Sequence, residues 1–189
     1  IAHEQGYPDL CQGEEVLGEM FMEFNRGHQA VRVAFVNQWD WHRAVCGLRM
    51  PEDMSFSDIR RGTDVEFGLS IYEPFGISQV EPLSFGALCV VSNVCGCMGF
   101  VRHASEGNDV EQNVIEANFL ALEDNPSMEE LKNLSGHQRD KIESVEAKRL
   151  AHKITDRLCH DGQTIPQRLT TGQALAKQMS WERVVRDYF

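Results

Sequence analysis

The stretch that most restricts the fold of this chain is residues 71–93, IYEPFGISQVEPLSFGALCVVSN, with TDVEFGLS just before it. In residues 63–70 the apolar Val65, Phe67 and Leu69 alternate, which predicts a strand. Glu73-Pro74-Phe75-Gly76 breaks the run, with Pro74 and Gly76 as the punctuation. A helix is predicted to open at Ile77 or Ser78 and to stop at Gly86, a glycine cap. Pro82 fits such a helix only if it opens right at the loop, because first-turn nitrogens have no partner to lose. Leu88–Ser92 is a short apolar run of the kind buried in a parallel sheet.

A helix that begins just past a strand leaves its first amides unpaired at the strand's carboxyl end. Those of Gly76, Ile77 and Ser78 would point together with the positive end of the helix dipole behind them. That predicts an anion site suited to phosphate or diphosphate, and Gly76 allows close approach to the backbone. Glu73 and Glu81, eight positions apart, frame the loop. An ionised carboxylate accepts hydrogen bonds from a vicinal diol, so sugar hydroxyls are its natural partners beside a phosphate. The plainer alternative is a solvated glutamate pair next to an ordinary strand–turn–helix.

On these residues the chain resembles the donor-site signature of retaining glycosyltransferases built from two Rossmann-like domains (the GT-B fold), such as glycogen, starch and sucrose synthases. Glu73, Gly76, Glu81, Gly86 and Val90-Val91 stand in that family's order. The resemblance implies that Glu81 binds the ribose hydroxyls of a nucleotide-sugar and that Glu73, the candidate catalytic residue, lies near the transferred sugar. It implies that the backbone at Gly76, Ile77 and Ser78 meets the sugar and diphosphate. One departure stands out. The family carries an Arg and a Lys upstream that neutralise the diphosphate, whereas here no Lys occurs before Lys132, and Arg26, Arg32, Arg43 and Arg49 do not sit in that pattern.

The chain has 189 residues, the length of one domain with a substantial core, and the expectation is a single nucleotide-sugar-binding domain over 1–189. A formal net charge of -11 argues against nucleic acid and anionic membrane surfaces as main partners. No run of 18 apolar residues is present, so no membrane span is predicted. The start, Ile-Ala-His-Glu-Gln, lacks an initiator Met and a signal peptide's regions, so a fragment or processed chain is expected. The six cysteines, Cys11, Cys46, Cys89, Cys95, Cys97 and Cys159, are irregularly spaced without C-x-x-C. This predicts a reduced, cytoplasmic protein that uses Cys as a small hydrophobe. Cys95-Gly96-Cys97 has no second pair or His at ligand spacing, and no metal site is predicted. No cofactor is predicted either, the nucleotide-sugar being substrate and helix amides carrying its diphosphate.

Elsewhere, Val16, Leu17, Met20, Phe21 and Phe24 repeat at helical spacing before Gly27. Residues 30–37, AVRVAFVN, read as a strand. Trp39 and Trp41 beyond it form either one wall of a base pocket or a surface loop packed on the core. Residues 55–61 read as a short helix capped by Ser55 or Ser57 and stopped at Gly62. Residues 94–99, VCGCMG, read as a glycine-rich turn, placed where the family has the loop that lines the donor cleft. Residues 113–122 form the next strand candidate, and residues 127–134 a helical turn or two. Helices are predicted over 137–158, 170–179 and 181–189. The last resembles the family's closing helix, which crosses back to an N-terminal domain.

Alternating strands and helices predict an α/β, Rossmann-like three-layer domain with a mostly parallel sheet and a crevice at the strands' carboxyl ends. The function this implies is the donor-binding half of a glycosyltransferase, whose acceptor is held through a missing N-terminal domain. The chain alone is then expected to be inactive. Two rivals stand beside it: a non-catalytic nucleotide- or sugar-binding module of the same fold, and a sugar-nucleotide epimerase domain.

Overall fold

A computed structural model describes residues 14–35, 51–70, 73–105, 112–119, 126–158 and 161–188. The chain divides into two compact units, residues 1–59 and 60–189, each described by itself.

In the first unit the predicted apolar stripe forms helix α1 (Glu14–Gly27), with Arg26 in its last turn near the negative end of the dipole. Residues 30–35 do not form the predicted strand. Asn25 takes the backbone of Val33 at both its amide and its carbonyl, each at 2.8 Å. Phe35 packs its ring against Phe21, centroids 5.6 Å apart. The alternation of Val33 and Phe35 therefore serves packing on α1, not sheet pairing. Residues 36–37 and Trp39, Trp41 and Arg43 lie outside the described residues. Helix α2 (Phe56–Arg61) opens at Ser55, whose amide donates to the Asp58 carboxylate at 2.9 Å.

The second unit is built on three parallel strands, β1 (Val65–Gly68), β2 (Leu88–Ser92) and β3 (Val114–Ala117), in the order β1-β2-β3. Val65 stands opposite Leu88, and Cys89 opposite Val114. All five residues of β2 are buried, as a central parallel strand requires. Each of its large apolar side chains contributes about 1.5–3 kcal/mol by leaving water. The alternation of β2 separates two cores. Cys89 and Val91 face Leu83, Met98, Val101 and Val114 on one side; Leu88 and Val90 face Ile115, Ala117 and Leu150 on the other.

The first face is covered by helices α3 (Cys97–Ala104) and α6 (Thr164–Gln178), the second by α5 (Gly136–Arg157). Short α4 (Met128–Lys132) and closing α7 (Trp181–Tyr188) complete the set. The result is the predicted three-layer, Rossmann-like α/β arrangement, with an all-parallel sheet among the described residues. Helix α5 starts with a reciprocal capping box at Ser135 and Gln138. It also places Glu146 at the end of β3. That carboxylate is 5% exposed and accepts from the Asn118 amide at 2.6 Å and from Arg149.

Three segments of this unit differ from the sequence expectation. The predicted helix from Ile77 or Ser78 to Gly86 is two 3-10 segments, Ile77–Gln79 and Glu81–Phe85. Pro82 lacks the N–H that a continuous helix would have bonded, so the backbone restarts after Val80 and puts Pro82 in the first turn of the second segment. Gly86 does cap the end, at φ 83°. The predicted turn over 94–99 becomes helix from Cys97 onward, because Met98 and Val101 bury one face of α3 against the sheet. Helix α6 starts at Thr164, well before 170; Asp161 accepts the amides of Gln163 and Thr164 at 2.9 Å, and Pro166 falls in the tolerant first turn.

Candidate functional site

The loop between β1 and the first 3-10 segment lies at the carboxyl end of the parallel sheet. The carboxylate of Glu73 turns back on it and accepts the amides of Phe75 at 3.1 Å and Gly76 at 3.0 Å. Gly76 then takes the left-handed conformation, φ 66° and ψ 35°. A side chain there would be strained, and its Cβ would also overlap Cys95 Sγ. The turn after β2 closes from the other side. Gly96 donates its amide to the Glu73 carbonyl at 2.9 Å, and a Cβ on Gly96 would overlap the Pro74 carbonyl. The need for glycine at 76 thus comes from backbone geometry and the Cys95–Cys97 turn, not from the open side of the loop.

The predicted amide cluster is only partly available. The Gly76 amide is taken by Glu73. Gln79 and Val80 donate to the carbonyls of Gly76 and Ile77, both at 3.1 Å. Among the described residues, the amides of Ile77 and Ser78 have no such acceptor, and both residues are exposed. A three-residue 3-10 segment also carries far less dipole than the helix predicted there.

Gln79 anchors this segment to the sheet. Its side chain lies over Gly68, where a Cβ would crowd it, and its amide donates to Ser70 Oγ at 3.0 Å. Cys97 Sγ points to Gln79 Oε1 at 3.9 Å and lies 3.0 Å from Cys95 Sγ. Burial, and then the neighbouring Cys95 thiol, push Cys97 well above the usual thiol range. Cys89 beneath them is pushed up to about 12, chiefly by burial.

Glu81 opens the second 3-10 segment with its side chain half exposed, as a ligand-binding carboxylate must be. Its Oε2 accepts Arg60 Nη1 at 2.7 Å. Arg60, at the end of α2, is buried, donates to the Ser78 carbonyl at 3.2 Å and lies 3.4 Å from Glu66 Oε1. Burial raises the Glu66 carboxyl above its ordinary 4.5; the Arg60 charge and hydrogen bond oppose that, and Glu81 adds to it. Glu66 and Glu81 therefore share one guanidinium, with Glu73 a third carboxylate on the same loop system. Such acidic surroundings suit hydroxyl-rich ligands better than a bare phosphate.

Every predicted site residue lies within residues 73–81, and Gly76, Ile77 and Ser78 are contiguous between the two glutamates. Sequence reading missed Arg60, because two arginines ending a short helix look like ordinary dipole complement. It also missed the bond from Gly96 to Glu73, which no local pattern announces. Among the described residues, no cluster of three or more His, Cys, Asp or Glu side chains is arranged to hold a metal ion. None of the described helices is long and apolar enough to cross a membrane.

Residues 56–136 match the family model described as Glycosyl transferases group 1. The matched stretch begins at α2, contains all three strands and the loop system, and covers less than half of the 189 residues. The match supports a glycosyltransferase domain, a class whose partners are a nucleotide-sugar and an acceptor. Comparison with curated proteins finds no match.

Proposed function

We propose that this chain is the nucleotide-sugar-binding part of a retaining glycosyltransferase of the glycogen, starch and sucrose synthase kind. The observation that carries the reading is the pairing of Glu73 and Glu81 across one loop at the carboxyl end of a parallel sheet, with the amides of Ile77 and Ser78 between them. In this reading Glu81 accepts hydrogen bonds from the ribose diol. Ile77 and Ser78 donate to the diphosphate, and Gly76 shapes the backbone that presents them. Glu73, fixed by its bonds to the loop, stands beside the transferred sugar and favours the positive charge that develops there. No metal or other cofactor takes part; the donor is a substrate. The acceptor binds through a second domain.

The experiment is calorimetric titration with nucleoside diphosphates and their sugar conjugates, on the parent chain and on Glu81→Gln. Binding of at least one donor, weakened by about 1–2 kcal/mol in the variant, supports the reading. No binding by any of them removes it.

One observation favours a second reading, a binding module without catalysis. Three carboxylates stand around the loop: Glu81 and Glu66 share the buried Arg60 guanidinium, and Glu73 is bonded to the loop amides. A leaving diphosphate needs stronger positive charge than two backbone amides supply. Sugar transfer by the full-length protein would set this second reading aside.

A further inference from the structure

We propose that Arg60 is the positioning residue for Glu81, and that through it the site distinguishes ribose from deoxyribose. The inference rests on the donor-binding reading above and extends it to a residue outside the loop.

An arginine stays charged when buried and must find partners there. Arg60 has 9% of its side chain exposed, and its partners include the loop system and β1. Nη1 donates to Glu81 Oε2 at 2.7 Å, Nη2 to the Ser78 carbonyl at 3.2 Å, and Nε lies 3.4 Å from Glu66 on β1. The guanidinium is planar and rigid, so two bonds from its two terminal nitrogens fix both acceptors relative to one another. The residue bearing one candidate amide, Ser78, and the candidate diol acceptor, Glu81, are thereby held at one separation by one side chain.

The effect on Glu81 is specific. Its side chain is half exposed, and a half-exposed glutamate ordinarily samples several rotamers. Among the described residues, Oε2 is the oxygen that is engaged, with Arg60. Oε1 is then the oxygen offered to a ligand, in a fixed direction. A fixed single acceptor rewards a hydroxyl placed to meet it and gains nothing from an analogue that lacks one. A mobile carboxylate would turn to water instead and discriminate poorly. Glu66 keeps the guanidinium from swinging towards solvent with Glu81, because it holds the Nε side against β1.

The test is titration of the parent, Arg60→Met, Arg60→Lys and Glu81→Gln with paired probes: UDP and dUDP, ADP and dADP, GDP and dGDP. Circular dichroism checks that each variant is folded. The parent should prefer the ribose form of its best diphosphate by about tenfold. Arg60→Met should reduce that preference to about twofold or less while binding of the deoxy form barely changes. Arg60→Lys should keep part of the preference, since an ammonium reaches one acceptor but does not span two. In the Glu81→Gln background, Arg60→Lys should change the preference no further. Equal losses for ribose and deoxyribose probes in Arg60→Lys would show a purely structural arginine and overturn the inference alone; this arm stands even where Arg60→Met does not fold. A parent that binds both forms equally also overturns it and leaves a diphosphate site. A parent that binds no probe overturns the donor-binding reading and the role of Arg60 with it.

Discussion

Gly96 donates its amide to the carbonyl of Glu73 at 2.9 Å, and this one bond ties the turn after β2 to the loop after β1. The two loops are the crests of neighbouring parallel strands, where an open α/β sheet presents its crevice. Glu73 uses its carboxylate on the same loop, taking the amides of Phe75 and Gly76. Its first role is therefore to shape the loop, and any contact with a sugar depends on that shape.

Gly76→Ala is predicted to break this arrangement. A left-handed alanine costs about 1–2 kcal/mol in backbone strain. The new methyl also meets Cys95 Sγ, so the Cys95–Cys97 turn must move. Nucleotide affinity should fall at least about tenfold, and the urea midpoint should drop with an unchanged slope. An alanine variant that binds and unfolds like the parent would show that the loop is not held in this way.

One buried carboxyl, Glu146, and one partly buried, Glu66, predict opposite pH dependences. Burial raises Glu146, but hydrogen bonds from Arg149 and the Asn118 amide, with the charges of Arg149 and Lys153, outweigh it and leave the group below 4.5. Its stabilising effect is present above that ordinary value and is lost as pH falls through the depressed one. Glu66 has the reverse sign: its effect is full below 4.5 and is lost as pH rises through its raised value. Glu146→Ala should cost about 1–3 kcal/mol at neutral pH, discounted because Arg149 is partly exposed. Glu66→Gln should flatten the stability profile on the rising side of 4.5. Denaturant titrations between pH 3 and 8 (~six points) measure both.

The buried thiols should resist alkylation. Cys89 has its thiol raised from 9.0 to about 12, so almost none is thiolate at neutral pH. The stabilisation linked to that thiol is present below 9.0 and is lost as pH rises through about 12. Iodoacetamide on the folded chain at pH 8 (~ten-minute exposure) should leave Cys89 and Cys97 unmodified by peptide mass analysis, and unfolding in urea should make both reactive. Rapid modification of Cys89 in the folded chain would contradict the buried β2.

The chain alone is predicted to transfer no sugar, and its nucleotide affinity is predicted not to change with EDTA. Transfer requires donor and acceptor held together, which supplies a large share of the rate. Assays with several nucleotide-sugars and with glucan or sugar-phosphate acceptors check the first claim; robust multiple turnover would place the acceptor site within these residues. Titration with and without chelator checks the second, and a collapse of affinity would require a metal.

Much of the sheet was readable because its signals are local. The apolar run of β2 was placed at its observed bounds, and the alternation of Val65 and Phe67 located β1. Helix α5 was found from its apolar face, and Gly86 from its place as a stop. What failed depended on contacts distant in sequence. Residues 30–35 alternate like a strand, yet Asn25 and Phe21 hold them to α1. Gly96 and Gly99 suggested a turn, but burial of Met98 and Val101 makes α3 helical. In the loop system the glutamates were visible as a spacing. Arg60 was not, because its role arises only when its guanidinium meets Ser78 and Glu81, 18 and 21 positions later.

Binding of a nucleotide-sugar at the loop 73–81 can be followed residue by residue. The uniformly 15N-labelled chain is titrated with nucleoside diphosphates and their sugar conjugates while its backbone amides are followed by NMR. A donor site at this loop should make the amides of Ile77 and Ser78 shift first and furthest, with the Gly96 amide following through its bond to Glu73 and the amides of α5 on the opposite face staying still. Saturable shifts centred elsewhere, or none with any donor, would contradict it.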